Sequence, residues 1–407
     1  MSFWASPITV GTVGFLVLVL ALVVAAWTPM RRHFLTVLIA VNLAMLFSWL
    51  RWIDAACLLL FLVPPFLMAR HHWGSGKPAP TRAVLGTVLL QIALFLVLRR
   101  YPGFDVTGLL GHPVAVIGVS YIMFRQIHLI VDAPYSTEPF SLARYFAYTT
   151  AVWSLLAGPI QRYPDFVAGL GKIGRPGEDA LLASAHRITT GILKAFVLAP
   201  MLLETSKLGS AAGGEFNAFA WLVTFYSYFI FLYLDFSGYT DIVIGCAGLC
   251  GFSTLPENFN RPYLSRNVQE FWARWHISLG TWFRDYVFTP LFRLLGDWSG
   301  WRSLFLTNIA ALAVTFLLVG AWHGPGLNFV AFGIAQAAGV VAAVSARALR
   351  ERFLTPETQA RVESNPILIG LSWLLCFHFI CASFLLLENS PGDVARFLGA
   401  MLAHLAT

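Results

Sequence analysis

The chain has 407 residues, of which 58% are hydrophobic and only 12% are charged, whereas soluble domains carry roughly 25% charged residues. These proportions exclude a soluble globular protein and predict an integral membrane protein. The formal net charge of +7 falls in short loops between apolar segments, where the excess of Lys and Arg on cytoplasmic loops explains it without a nucleic-acid partner.

Hydrophobic segments follow one another along the whole chain, and we expect about ten to twelve, several of them short or broken. A helix needs about 20 apolar residues to cross roughly 30 Å of hydrocarbon. The first segment lacks a basic start and an Ala-x-Ala cleavage site, so we interpret it as a retained helix and not as a signal peptide. Five stretches are near the spanning length: Pro7 to Trp27, Arg51 to Met68, Phe216 to Leu234, Ser303 to Val319 and Pro366 to Leu387.

No soluble module or metal site is indicated between these segments. There is no long Pro/Gly/Ser linker and no low-complexity tract, so we expect a single membrane domain over residues 1–407. The five cysteines lie in apolar runs without Cys-x-x-Cys spacing, which argues against a disulfide framework or a zinc site. We therefore predict an all-α polytopic membrane protein without a metal.

A polar cluster interrupts the apolar run that precedes residue 242. A carboxylate that faces lipid is costly, so we expect each aspartate of this cluster to pair with an arginine such as Arg261 or Arg284, or to orient a histidine. Structural ion pairs that hold helices together are the simpler alternative. The cluster comprises Asp235, Ser237, Tyr239, Thr240 and Asp241.

The stretch from Asn258 to Phe292 alternates arginines with aromatic residues. Its apolar residues recur at helical spacing, which predicts one amphipathic helix at the interface or at the mouth of a cavity. Asn267, with Glu270 three places later, is expected to cap its start. His276 falls at the apolar margin of the stripe, and an interfacial histidine that caps polar backbone is the alternative to a functional one. The stripe comprises Val268, Phe271, Trp272, Trp275, Leu279, Trp282, Phe283 and Tyr286.

A second histidine, His323, closes an apolar run and is followed by Gly-Pro-Gly, which should end the helix. If the basic regions on both sides are cytoplasmic, Ser303 to Gly320 crosses outward and Asn328 to Ser345 returns. His323 then lies toward the side opposite to the stretch that holds His276. A neutral imidazole there can accept a proton from an attacking hydroxyl. A histidine bonded to a carbonyl at a helix end is the alternative.

Several consecutive motifs resemble those of the bacterial membrane-bound O-acyltransferases. Two further segments, Val119-Ser-Tyr121 with Phe124 and Ala157-Gly-Pro-Ile-Gln-Arg-Tyr163, are similar to others of that family. The resemblance covers residues 113–390, which would form the catalytic core after N-terminal helices in residues 1–112. The main motifs are Asp235-Phe-Ser-Gly-Tyr-Thr-Asp241, Leu255-Pro-Glu-Asn-Phe-Asn-Arg-Pro-Tyr263, Phe271-Trp-Ala-Arg-Trp-His-Ile-Ser-Leu279, Trp282-Phe-Arg-Asp-Tyr286 and Trp322-His-Gly324.

The resemblance implies a ring of transmembrane and re-entrant helices around a central tunnel in the bacterial inner membrane. It implies catalytic roles for His323 and His276, with no bound cofactor. The acyl thioester, acetyl-CoA or an acyl carrier protein, would be a co-substrate. Arg261, Arg266 and Arg274 could hold its phosphates. The residues expected to contact substrate or line the tunnel are Asp235, Ser237, Tyr239, Asp241, Asn258, Arg274, Trp275, Ser278, Trp282, Arg284, Asp285, Trp322 and Asn328.

Two branches of the family fit the motifs. One acetylates an extracytoplasmic polysaccharide of the alginate type, directly or through a partner acyltransferase. The other moves D-alanine from a carrier protein toward teichoic acid. An enzyme that acylates a lipid or sterol is a further alternative, and a polytopic transporter is the alternative from another class, because it too has broken helices and buried charges.

Overall fold

A computed structural model of the chain describes residues 13–48, 52–99, 101, 118–205 and 218–405. The described residues are mostly helical and contain no β-strand, only one isolated bridge between Phe259 and Trp275. The expected boundary between N-terminal helices and catalytic core, at residue 112, lies outside the described residues. The helices form two compact units: Met1–Phe196 with Phe236–Pro256, and Val197–Asp235 with Glu257–Thr407.

The first unit contains eight helices in its described part. A buried arginine on the fifth, Arg125, donates to the carbonyl oxygens of Tyr148, Thr149 and Ser154 at 2.8–3.0 Å and so fixes the loop after the sixth. The helices are α1 Val13–Trp27, α2 Phe34–Phe47, α3 Trp52–His72, α4 Thr81–Leu98, α5 Val119–Asp132, α6 Leu142–Thr149, α7 Tyr163–Leu170 and α8 Glu178–Ile192.

The second unit begins with the short α9 Ala199–Leu203 and the long α10 Ala218–Leu249, which passes into the first unit after residue 235. A hairpin of two long helices follows later, and a Cβ on Gly333 would lie 2.8 Å from the carbonyl oxygen of Phe316, so close helix packing excludes a larger residue there. The remaining helices are α11 Val268–Arg274, α12 Ile277–Phe283, α13 Thr289–Ser299, α14 Leu304–His323, α15 Leu327–Phe353, α16 Pro356–Ser364, α17 Pro366–Phe384 and α18 Pro391–Leu405.

Eight helical segments in the described part of the chain are long and apolar enough to cross a membrane. They comprise α2, α3, α4, α8 with the turns up to Leu203, α10, α14, α15 and α17. The structure therefore confirms an all-α polytopic membrane protein. The ring of helices around a tunnel stays a prediction.

Asp241 forms a structural ion pair, the alternative that the sequence left open, and its arginine partner is Arg187 rather than Arg261 or Arg284. Its carboxylate instead accepts from Arg187 at 3.1 Å and from Lys194 at 2.7 Å, all within the first unit. The pair forms because α8 and α10 approach closely at glycines: a Cβ on Gly191 would lie 2.6 Å from the carbonyl oxygen of Gly238. The partners come from a helix some 50 residues away, and no local pattern indicated them.

Replacing this carboxylate with an amide, Asp241→Asn, should destabilise the first unit. Two partly buried cations would each lose one charged partner, at a cost of about 1–3 kcal/mol. Thermal unfolding of the purified protein in detergent should show a lower midpoint. The matched control is Asp393→Asn, because Asp393 pairs with Arg396 at the surface, where the pair contributes little. Equal midpoints for both variants would contradict a structural role for Asp241.

Candidate functional site

The predicted amphipathic helix is interrupted at His276, so the expectation of one continuous helix was wrong. Helix α11 ends at Arg274, α12 begins at Ile277, and His276 adopts a left-handed backbone with φ of +46°. Such a backbone is uncommon for a residue other than glycine. The break therefore turns the chain at His276.

Pairing with a distant segment explains the break. The N–H of Ile277 donates to the carbonyl oxygen of Asn258 at 3.0 Å, and the N–H of Asn260 donates to that of Arg274 at 2.9 Å. These bonds satisfy backbone groups that a helix end leaves without partners. Periodicity could not reveal them, because they join residues 14 to 19 positions apart.

The start of α11 is capped by the residue that the sequence predicted. The Oδ1 atom of Asn267 accepts from the N–H of Glu270 at 2.8 Å, which confirms the predicted cap. The Glu270 carboxylate accepts from the N–H of Arg266 at 2.8 Å and not from Asn267, so the reciprocal half of the capping box is displaced by one residue.

Three polar side chains meet at the break in a fully buried cluster. The Oδ1 atom of Asn258 accepts from the hydroxyl of Ser278 at 2.6 Å and from its N–H at 3.2 Å. The same oxygen lies 3.4 Å from Nδ1 of His276. Asn258 is 0% exposed, His276 4% and Ser278 6%. The structure therefore brings together three of the residues expected at the site.

These bonds fix the orientation of the Asn258 amide. Because Oδ1 receives both bonds from Ser278, the NH₂ group must point the other way, and it is buried without a hydrogen-bond partner among the described residues. A buried donor left without a partner costs about 1–3 kcal/mol. Such a group is poised to bind an oxygen atom of a ligand.

His276 stays neutral at physiological pH. Burial, and secondly the charge of His323, lower the pKa of His276 to about 3. That dependence places His323 within electrostatic range of His276. The expectation that the two histidines lie toward opposite sides of the membrane stays a prediction.

His323 is the last residue of α14 and is half-buried. The ring centroid of Trp322 lies 4.6 Å from that of His323, and the ring centroid of Phe332 lies 5.5 Å away in an edge-to-face arrangement. A Cβ on Gly324 would collide with the ring of Phe329, so a glycine is required directly after the histidine. The imidazole thus lies at a helix end, as the sequence predicted, and aromatic rings partly shield it.

Three other predicted site residues lie in the second unit, and the structure shows a contact for each of them. Trp275 is buried and stacks on Phe271, with ring centroids 5.6 Å apart. Arg274 pairs with Glu270 at 2.6 Å. Asn328 donates to the carbonyl oxygen of Leu386 at 3.0 Å, which is a structural tie.

The remaining predicted residues fall into three groups. Trp282 and Asp235 are buried in the second unit. Arg284 and Asp285 are exposed and pair with each other at 2.9 Å on a π-helical turn, Arg284–Phe288. The last group lies in the first unit and comprises Ser237, Tyr239 and Asp241.

Sequence reasoning missed a buried polar chain beside the cluster. Trp272 donates its indole N–H to Gln336 at 3.1 Å, and Gln336 donates to the hydroxyl of Ser383 at 2.8 Å. Gln336 is 0% exposed. A glutamine within the apolar run of α15 was the available signal, because a polar residue in a spanning helix requires a partner. The chain joins α11, α15 and α17.

Comparison with known proteins identifies one family and two groups of similar proteins. Residues 211–387 match MBOAT, the membrane-bound O-acyltransferase family. The chain is 26% identical to a teichoic acid D-alanyltransferase of Bacillus subtilis over 367 residues, 86% of this chain and 88% of that protein. It is 29% identical to one of Streptococcus thermophilus over 293 residues, 68% of this chain and 69% of that protein.

The second group of similar proteins consists of probable alginate O-acetylases. The chain is 34% identical to a probable alginate O-acetylase, AlgI, of Pseudomonas aeruginosa over 290 residues, 70% of this chain and 51% of that protein. It therefore spans about half the length of this relative. Both histidines and the Asn258 cluster lie within the matched residues 211–387. The chain is an acyltransferase of the membrane-bound O-acyltransferase family.

Proposed function

We propose that the protein moves an acetyl group from a thioester on the cytoplasmic side of the bacterial inner membrane to a hydroxyl outside. The observation that carries the proposal is the cluster of His276, Asn258 and Ser278 within electrostatic range of His323. A neutral imidazole and a buried amide donor at one place are the two groups that acyl transfer to a hydroxyl requires.

The chemistry can be written with the residues of the site. His323 accepts the proton of the acceptor hydroxyl as its oxygen attacks the thioester carbonyl carbon. The amide N–H of Asn258 donates to the carbonyl oxygen as negative charge develops on it. The carbon–sulfur bond then breaks, and the proton passes from His323 to the departing sulfur. The products are an ester and a free thiol, and the imidazole is neutral again.

His276 supports this reaction as a neutral side chain. A cation at its position would oppose the protonated form of His323 that the mechanism needs, and burial prevents that cation from forming. Its imidazole is available to contact the thioester beside Asn258. Arg261, Arg266 and Arg274 are proposed to hold phosphates of the donor, with Arg274 exchanging its bond to Glu270 for one to phosphate.

Acetyl transfer to a polysaccharide, directly or through a partner acyltransferase, is supported by the higher identity to the alginate relative, 34%. D-Alanyl transfer from a carrier protein is the second candidate, because the match to the Bacillus subtilis relative covers 88% of that protein. In either case the acceptor is part of an extracytoplasmic polymer or of a relay protein.

A thiol-release assay tests the proposal. Purified protein in nanodiscs is supplied with acetyl-CoA, or with a D-alanyl carrier-protein thioester, together with polysaccharide. We expect acceptor-dependent thiol release from acetyl-CoA. Release from the D-alanyl thioester alone would select the second candidate. No release from either thioester, together with uptake of the intact donor into sealed proteoliposomes that contain the same protein, would indicate a transporter.

A further inference from the structure

Gln336 is the central residue of the buried polar chain that joins α11, α15 and α17. The indole N–H of Trp272 can only donate, and the Ser383 hydroxyl gives its own proton to the carbonyl oxygen of Ile380 at 3.2 Å. The bonds therefore run in one direction, from Trp272 through Gln336 to Ser383. A side chain at position 336 must accept at one atom and donate at another, which an amide does and an ionised carboxylate does not.

On α15 the polar chain lies beside a ring that contacts His323. Phe332 precedes Gln336 by four residues, so the two side chains share one face of the helix. Phe332 is buried, and its ring meets that of His323 edge to face, with centroids 5.5 Å apart. Trp272, at the other end of the hydrogen bond, packs on Phe316 of α14 with ring centroids 5.3 Å apart. The bond to Gln336 therefore ties α15 to the helix that ends at His323.

On α17 the polar chain lies beside a ring that connects the surroundings of both histidines. Phe384 follows Ser383, and its ring meets that of Phe332 at a centroid distance of 5.5 Å. The same ring meets that of Trp275, the residue before His276, at 5.2 Å. All of these residues belong to the second unit. An aromatic path therefore leads from the break between α11 and α12 to the imidazole at the end of α14.

Ring contacts alone do not determine how membrane helices are aligned. Within hydrocarbon no hydrophobic force holds helices together, so their alignment depends on close packing and directional bonds. The packing is close here, because a Cβ on Gly339 would lie 2.8 Å from the ring of Phe379 on α17 and 2.9 Å from Val268 on α11. Hydrogen bonds between membrane helices contribute modest stability on average, whereas a satisfied polar network selects one arrangement.

We propose that Gln336 is a positioning residue for acyl transfer, which holds Phe332 and Phe384 so that the His323 imidazole stays aligned with the acceptor hydroxyl. The proposal rests on the function proposed above, in which His323 accepts the hydroxyl proton. Gln336 is 0% exposed and acts through these rings, without contact to substrate. Its loss therefore affects the rate of the chemical step and not the affinity for the thioester.

Gln336→Met tests this role, because methionine has a similar length but cannot donate to Ser383 and is only a weak acceptor. We expect kcat for ester formation to fall about ten- to hundredfold, the effect of a small displacement of a reacting group. The KM for the thioester should stay unchanged. Steady-state kinetics of the purified variant in nanodiscs measures both parameters. A folded variant with the wild-type kcat would contradict the positioning role.

The matched control is Gln91→Met. Gln91 is also 0% exposed within a spanning helix, α4, and donates to the carbonyl oxygen of Phe61 at 3.2 Å, but it lies in the first unit. Both variants should lower the midpoint of thermal unfolding, whereas only Gln336→Met should lower the kcat of the folded protein. An equal loss of kcat in both variants would leave Gln336 with a structural role only.

A further variant tests whether the bond to Trp272 carries the effect. Trp272→Phe removes the indole N–H and keeps an aromatic ring against Phe316. It should lower kcat on its own, but the double variant with Gln336→Met should be no slower than Gln336→Met, because the bond is then already absent. Losses that multiply in the double variant would show that the two residues act independently, contrary to the proposal.

An NMR comparison separates failure of this inference from failure of the proposed function, because it needs no thioester. In protein with isotope-labelled histidine, the His323 signal is identified by its absence from the spectrum of His323→Ala. The ring current of Phe332 contributes to that signal, so the signal should shift in Gln336→Met and keep its position in Gln91→Met. A His323 signal unmoved by Gln336→Met would overturn the inference, whereas acylation at the wild-type rate by His323→Ala would overturn the proposed function.

Discussion

Replacing His323 with alanine should reduce acyl transfer by roughly two to four orders of magnitude, the usual contribution of a general base. The expected loss is in kcat, because the imidazole acts on the hydroxyl proton during attack and not in donor binding. Thiol release and ester formation should fall together. The measurement is the rate of acceptor ester formation by the purified variant at saturating thioester.

The control for this variant is His186→Ala, because His186 is an exposed histidine on α8 in the first unit. It should retain the wild-type rate. Added imidazole should restore part of the activity of His323→Ala, since removal of the side chain leaves space beside Trp322 and Phe332. A folded His323→Ala protein that acylates at the wild-type rate would remove His323 from the mechanism.

The second large effect is expected at Asn258. Substitution with leucine, which has a similar volume and no N–H, should lower kcat by about 10²- to 10³-fold, the loss seen when one oxyanion donor is removed. The KM for the thioester should change little, because the bond is strongest when negative charge has developed on the oxygen. Steady-state kinetics with varied thioester concentration separates the two parameters.

Ser278→Ala distinguishes a donor role of Asn258 from a structural one. The serine hydroxyl bonds to Oδ1 at 2.6 Å and fixes the orientation of the amide, so its loss should lower kcat about tenfold while Asn258 remains. Asn389→Ala is the matched control, because that amide donates to the carbonyl oxygen of Leu385 outside the cluster. A change in KM alone in both Asn258→Leu and Ser278→Ala would contradict the oxyanion role.

Much of the fold could be predicted from hydropathy. The apolar stretches ending at Met68, Val319 and Leu387 correspond to helices that the structure contains, because burying backbone groups in hydrocarbon leaves the helix as the available conformation for such segments. The end of α14 at His323 was also predictable, since Gly324 and the proline after it stop a helix.

The geometry of the site was not predictable in the same way. The residues around His276 have continuous helical periodicity, yet the chain turns there because Asn258 and Asn260 bond to the main chain of the break. Similarly, the partners of Asp241 come from α8 and the turn that follows it, through a close approach of two glycines. Such contacts depend on packing between distant segments, and a single sequence contains no local signal for them.

The central claim, that thioester and hydroxyl react from different compartments at His323, is tested most directly in proteoliposomes. A polysaccharide acceptor is sealed inside, and labelled acetyl-CoA is added outside only. The account predicts labelled ester on the enclosed polysaccharide with the wild type, formed at least about a hundredfold more slowly with His323→Ala. Labelled acetyl-CoA found intact inside, without ester on the polysaccharide, would contradict it.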